Sequence, residues 1–348
     1  MKPAAEPRFI LGVYPMGPFR EQNWTRERET NFLDRVLELP NLRGLEIPFP
    51  SNSQIHQFDP QLFLQYLARG AKLGMQHVLT CIVGTSQQLT TNPHFGLASA
   101  NKVGREQAVE FIRTAHQQVK QLQKTLGESS ILALELHSAP SRTKPGVAST
   151  SADLRDSLQS IAEWDWGNVR LSVEHCDSVD SPFPPVKGFL SLDDELTAVR
   201  AVNSALALPK PIGLTINWGR SAIEQRDPET PHQQIVTCGK AGLLAGVMFS
   251  GVTDSQKRSG KEGAWLDSHA PHARAAGLDY FYEDSLMTEE RMHDCLKAAA
   301  PFHPDYLGAK IMRRPETADY DETPLEERIG LLHSMLLLLK RSYTETAK

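Results

Sequence analysis

Short runs rich in Val, Ile and Leu recur along the chain, and a segment of helical periodicity follows each one. The runs are RFILGVY (8–14), LRGLEIP (42–48), QHVLTCIV (76–83), ILALELH (131–137), VRLSVEH (169–175), PIGLTINW (211–218), LLAGVMFS (243–250) and YLGAKIM (306–312). Helices are predicted around residues 28–39, 60–73, 103–126, 152–164, 191–206, 228–240, 288–300 and 324–343. Repeated strand–helix units imply parallel strands joined by right-handed crossovers. Eight of them predict an α/β fold closed into a (β/α)8 TIM barrel. An open doubly wound sheet usually carries a glycine-rich phosphate loop after its first strand, and GVYPMGP is not GxGxxG. No linker, composition shift or charge block breaks the pattern. Residues 1–348 are therefore expected to form one barrel domain, with a long loop after strand seven at about 251–286.

Composition narrows the function classes. A net charge of −5 over 348 residues argues against a nucleic-acid partner, which needs a broad basic surface. The four cysteines (Cys81, Cys176, Cys238 and Cys295) are widely spaced and form no CxxC pair, which fits a reducing compartment. The N-terminal run FILGV is too short for a signal peptide, and no stretch is apolar for long enough to span a membrane. The expectation is a soluble cytoplasmic protein.

In such barrels the reactive groups sit at the C-terminal strand ends and in the loops that follow. That rule selects Tyr14 after strand one and Glu46 in strand two. Glu135 and His137 share one face of strand four because they are two residues apart. Strand five offers Glu174, while His175 is expected to point away from the barrel mouth and Cys176 to be a small buried hydrophobe. Asp177 shares parity with Glu174 and stays open between site and loop. Strand six ends in Asn217, Trp218 and Arg220, the loop after strand seven carries Asp267, His269 and His272, and strand eight runs into Arg313 and Arg314. Three carboxylates ending apolar strands at one end of one barrel point to a functional cleft, since a buried carboxylate is costly unless paired, hydrogen-bonded or metal-bound.

The segments GLEIP, ELH, SVEH and INWGRS, at strands two, four, five and six, resemble the xylose-isomerase-like TIM-barrel superfamily of sugar and sugar-phosphate isomerases and epimerases. The resemblance implies a divalent ion held by a Glu after strand five, an Asp after six, a His after seven and a Glu after eight. Glu174 matches the first of these. Asn217 and Arg220 keep the Asp-x-x-His spacing but replace both ligands, strand seven ends without a histidine, and strand eight has Lys310 where a Glu is expected. A weaker Mn2+, Mg2+ or Zn2+ site built from Glu174, Asn217 and His269 is the remaining expectation.

The resemblance implies an isomerase or epimerase of a sugar or anionic sugar derivative, a phosphate or sulfonate, working by carboxylate-mediated proton transfer. Glu174 is expected as the base, with Glu135, His137 or Glu46 as its proton-transfer partner. Arg220 or a metal would stabilise the oxyanion, Arg313 would grip the anionic group, and Tyr14, Trp218 and His269 would contact substrate. The alternatives are a sugar-acid lyase or dehydratase, or a carbohydrate-binding barrel without catalysis. The expected partners are a small carbohydrate and other copies of the chain as a homo-oligomer, with no nucleic acid and no membrane.

Overall fold

A computed structural model describes residues 9–18, 24–255, 264–312 and 323–346. Eight strands form a closed parallel barrel: β1 (Phe9–Gly12), β2 (Leu42–Pro48), β3 (His77–Thr80), β4 (Ile131–Leu136), β5 (Arg170–His175), β6 (Gly213–Asn217), β7 (Leu244–Phe249) and β8 (Tyr306–Lys310). Each strand pairs with the next, and β8 closes on β1. The helices among the described residues are α1 (Arg26–Leu37), α2 (Pro60–Lys72), α3 (Ile82–Thr91), α4 (Lys102–Leu126), α5 (Ser151–Ala162), α6 (Leu192–Ala205), α7 (Trp218–Gln225), α8 (Thr230–Lys240), α9 (Glu289–Ala299) and α10 (Leu325–Thr346). None is long and apolar enough to cross a membrane.

Local chemistry explains where the helices begin. Thr25, Asn101, Thr150, Ser191 and Thr288 each accept the backbone N–H three residues on, satisfying a donor that the first turn leaves unpaired. Asp59 does the same for α2, with Pro60 at the first helical position.

Two helices depart from the sequence expectation. The apolar run 76–83 was expected to be all strand, yet β3 stops at Thr80 and α3 starts at Ile82. Ile82 is buried with Ala139, Cys176 and Phe189, so the run stays apolar while its geometry changes. An apolar run alone does not separate a strand from a buried helix start. Trp218, likewise expected at the end of a strand, is where α7 begins with no intervening loop, and Asn217 caps it by accepting the N–H of Arg220 at 3.4 Å.

Alternate strand residues fill the barrel and pack against the helices. Outward-facing Leu11, Ile47, Leu134, Val173, Ile216 and Val247 join the helix residues in the main core. Inside, Ile10, Val78, Ala133, Met248 and Tyr306 form a separate apolar layer. Glycines make room for the large interior side chains. A Cβ on Gly246 would meet the Tyr306 ring at 2.4 Å, and one on Gly12 would meet Glu46 Oε2 at 2.5 Å and Lys310 Cβ at 3.0 Å. Above the apolar layer, towards the C-terminal strand ends, the interior becomes polar.

The segment after β7 folds back over that end. Gly251 and Ala270 exchange backbone hydrogen bonds of 2.9 and 2.8 Å, and the Met312 N–H donates to the His269 carbonyl at 2.6 Å. His269 is held in the left-handed region at φ 53°, a conformation costly for most side chains and more accessible to His. Asp267 and His269 are thereby delivered to the mouth.

Candidate active site

Three buried carboxylates, Glu46, Glu135 and Glu174, converge with ligand-type oxygens within 4.8 Å of one another. Their surroundings differ, and so does the chemistry each can perform.

Glu174 is surrounded by donors. Its Oε2 accepts from His137 Nε2 at 2.9 Å and pairs with Arg220 Nη1 at 2.7 Å. Its Oε1 accepts from Asn217 Nδ2 at 2.9 Å and lies 3.7 Å from Lys310 Nζ. Burial alone would raise its pKa, but Arg220 and Lys310 outweigh that and hold the carboxyl well below the usual carboxylate range. Glu174 is thus an ionised, saturated acceptor.

Glu46 is bonded on one side only. Its Oε1 accepts from Lys310 Nζ at 2.8 Å, while Oε2 is buried without a hydrogen-bond partner. Burial raises its pKa, Lys310 counteracts, and the charge on Glu174 adds to the rise. Glu135 lies deeper, and burial followed by the charges of Glu174 and Glu46 pushes it well above the carboxylate range. Its Oε1 accepts from Tyr306 Oη at 2.8 Å, and the chain continues from Tyr306 to Thr215 at 2.5 Å and on to Ser172 at 2.7 Å.

The cations are fixed by these acids. Lys310, fully buried, would lose its proton through desolvation, but Glu174 and Glu46 hold its pKa well above the ordinary lysine value. Arg220 spans from Glu174 to Asp267, whose Oδ2 is 3.4 Å from Nε, and its Nη1 reaches Cys176 Sγ at 3.4 Å. Lys187 adds a rim contact to Asp267 at 3.6 Å. Two histidines in the site are neutral: burial lowers His137 to about 4 and His269 to about 3. His137 therefore donates its Nε2 proton to Glu174 and leaves buried Nδ1 without a partner.

Beside Glu46 opens a cavity of about 290 Å3. Tyr14, Ile55 and Phe63 give it apolar walls, and Gln54, Gln57 and Gln87 supply neutral polar groups. No Lys or Arg is among the described residues that line it.

The expected residues therefore fall into distinct places. Glu46, Glu135, His137, Glu174 and Arg220 come together, and Tyr14 joins them, with its ring centroid 5.9 Å from Lys310 Nζ. Trp218 does not, and this corrects the expectation that it contacts substrate. It is fully buried in the main core beside Cys295 of α9, because the immediate start of α7 replaces strand parity with helix geometry. Arg313 lies outside the described residues. The ligand set Glu174, Asn217 and His269 is not assembled either. Asn217 turns its amide nitrogen to Glu174 and spends its oxygen on the α7 N–H, and His269 Nδ1 is taken by Ser250 Oγ at 2.6 Å and Asp267 at 3.3 Å. Asp177 belongs to the loop, where it accepts the N–H groups of Val186, Lys187 and Gly188.

Lys310 was not expected as a site residue, and Asp267 was named at the mouth without a role. The signal for Lys310 was a single charge at an inward position of an otherwise apolar strand, which burial allows only with an anionic partner.

The fit of a divalent ion can be judged from these donors. Three carboxylates are the hard oxygen donors such an ion takes. Two of the three, however, are already paired with the ammonium of Lys310, and Glu174 also with Arg220. An added dication would face two buried cations on the same oxygens, so the residues as they stand do not fit it.

A family described as a domain of unknown function, DUF4862, matches residues 10–330. An uncharacterised protein of Salmonella typhimurium, STM3670, is 33% identical over 334 residues, covering 96% of this chain and 97% of its own. Among solved structures, the IolI protein with a bound zinc atom is similar at a TM-score of 0.57 and 11% identity, with 97% of each chain covered. L-ribulose 3-epimerase is similar at 0.57 and 12%, covering 98% and 97%. D-psicose 3-epimerase of Clostridium cellulolyticum is similar at 0.51 and 12%, covering 97% and 96%. At these identities the likeness shows the fold, a xylose-isomerase-like TIM barrel.

Proposed function

We propose, on the premise that this chain belongs to the DUF4862 family, that it is an isomerase or epimerase of a free sugar, moving a proton on the carbon next to a carbonyl. The observation that carries the reading is Glu46. It is a carboxylate with a raised pKa and one unpartnered oxygen, set on the wall of a cavity of sugar-accommodating size.

In this reading Glu46 takes the proton. The C–H electrons become the C=C bond of an enediol, and the carbonyl electrons move to its oxygen, which needs a positive or hydrogen-bonding neighbour. Glu46 then returns the proton to the neighbouring carbon in isomerisation, or a second acid on the opposite face donates one to the same carbon in epimerisation, leaving Glu46 protonated until it loses that proton to solvent. His137 and Glu135, whose pKa burial and the neighbouring carboxylates raise, are the proton carriers nearest Glu174, and Glu174 serves as the anion that holds His137, Arg220 and Lys310 in place. Its four donors leave it a poor base, so the base role expected for Glu174 passes to Glu46.

The substrate class also narrows. Among the described residues, the cavity walls offer glutamine amides and no guanidinium or ammonium, a lining suited to hydroxyl groups. The sugar-processing names of two structural neighbours add to the case for a carbohydrate.

Incubation with a panel of unphosphorylated ketoses and aldoses in D2O tests the reading. NMR is expected to reveal deuterium at the carbon next to the carbonyl, and Glu46→Gln is expected to remove it. Exchange that survives unchanged in Glu46→Gln would remove Glu46 from the mechanism.

A further inference from the structure

We infer that the ammonium of Lys310 is the built-in cation of the Glu46–Glu135–Glu174 cluster, standing where a divalent ion would otherwise bind and stabilising the enediolate oxygen in its place. The second part of this rests on the isomerase reading above; the first does not.

Position is the first argument. Lys310 ends β8 on the inward face, two residues after Gly308, and Gly12 of the adjacent strand leaves the space its stem needs. Its Nζ is 2.8 Å from Glu46 Oε1 and 3.7 Å from Glu174 Oε1, so it lies between two of the three carboxylates able to share an ion. The side chain is fully buried and so are both acids, so this is a built pair, unlike the ion pairs of a solvated surface.

Charge balance is the second argument. Glu46, Glu174 and Asp267 face three cations, the buried Lys310 and Arg220 and, at the rim, Lys187. A group of buried anions needs compensating cations, and here the chain supplies them covalently. Glu46 Oε2 and Glu135 Oε2 remain buried without partners. They are oxygens that an ion could take once the ammonium is gone.

Chemistry is the third. An ammonium carries three donors and no acceptor. One proton goes to Glu46 and a second faces Glu174; the ammonium lies behind Glu46 and Tyr14, which line the cavity, so its third donor is the one a substrate oxygen entering between them would take. A positive donor next to the base is the pairing that enediolate formation needs: the base removes the proton as the ammonium receives the developing oxyanion, and no oxidant or reductant takes part.

The test uses the full-length protein and Mn2+ as probe. Wild-type protein, dialysed against EDTA, is expected to bind no stoichiometric Mn2+ by calorimetry or EPR, and to show the same melting temperature with and without the metal. Lys310→Met, with folding checked by circular dichroism, is expected to bind about one equivalent of Mn2+ and to be thermally stabilised by it. Adding Glu46→Gln to that variant should remove the gain. A wild-type site for one equivalent of Mn2+ that Glu46→Gln abolishes would overturn the inference, and this arm does not depend on the Lys310 variant folding. A folded Lys310→Met that gains no metal would overturn it too. None of these measurements involves a sugar. If they come out as expected while no sugar exchanges deuterium, the cation site stands and the isomerase reading falls.

Discussion

Glu195 and His175 are joined back to back with the site: Glu195 Oε2 lies 2.8 Å from His175 Nδ1, on the outer side of β5. The other oxygen of Glu195 accepts from Ser138, the residue after His137, just as His175 follows Glu174. One α6 carboxylate thus ties the ends of β4 and β5 from behind, while His137 and Glu174 bond to each other in front. Glu224 of α7, 3.1 Å from His175 Nε2, completes the clamp.

Removing the tie should cost stability directly. Glu195→Ala leaves Ser138 without its acceptor and His175 with Glu224 alone, and breaking one side of a buried ion pair costs about 3–5 kcal/mol. Urea denaturation of the two proteins would read this. A loss under about 1 kcal/mol would mean that the clamp is not under load.

The same clamp gives a pH dependence. Burial works against a charged imidazole, but the two carboxylates prevail and raise His175 from 6.5 to about 10. Glu195 is itself pushed up by burial and Glu224 is held down by His175; two acids facing one imidazole favour the imidazolium. Because the folded pKa lies above the unfolded one, this stabilisation is complete below about pH 6.5 and is lost as pH rises towards 10. Melting temperatures of the wild type should fall across that window, and His175→Gln should flatten the slope there.

Arg220 makes the opposite kind of prediction. Arg220→Met strands ionised Glu174 and Asp267 in the interior, so a loss of about 3–5 kcal/mol is expected. Arg220→Lys keeps the charge but cannot span both acids, and is expected to recover only part of that loss. Equal stabilities for Arg220→Lys and the wild type would refute the bridging role.

Interior glycines are a further check. In Gly246→Ala the new methyl would lie 2.4 Å from the Tyr306 ring, an overpacking expected to cost about 1–3 kcal/mol. Gly12→Ala presses instead on Glu46 Oε2 and the Lys310 stem. It should therefore reduce deuterium exchange by about tenfold or more, since small displacements of a reacting group are costly. Should the two alanines affect exchange equally, the placement of Glu46 at the reaction centre would be in question.

Much of the architecture was legible in the chain, because periods of 2 and 3.6 leave their marks on apolar residues. The α1, α2, α4, α5 and α6 boundaries lie within about two residues of the expected ones, given their capping residues and amphipathic faces. The β3–α3 and β6–α7 junctions were illegible for one shared reason. A helix that starts directly from a strand under a covering loop stays apolar, so nothing in composition marks the turn. Parity placed Glu46, Glu135, His137 and Glu174 together and turned His175 outward. It could not assign roles, because a carboxylate's role depends on which cations reach it. Arg220 and Lys310 arrive from α7 and β8, at sequence distances that no local pattern spans. The Asn217 amide and the His269 ring were expected as ligands with Glu174, but the ligand-type oxygens that converge with Glu174 are those of Glu46 and Glu135, and the Asn217 oxygen is taken by the α7 N–H, both set by tertiary geometry.

The contact between Lys310 and Glu46 joins residues 264 positions apart. It also crosses the seam where the last strand meets the first, so the pair that holds the base and its neighbouring cation exists only once the circle is complete. Neither the half of the chain bearing β1–β4 nor the half bearing β5–β8 contains a partial version of it. Opening that seam would separate the two charges. Chemical competence in this reading therefore depends on the last strand closing on the first.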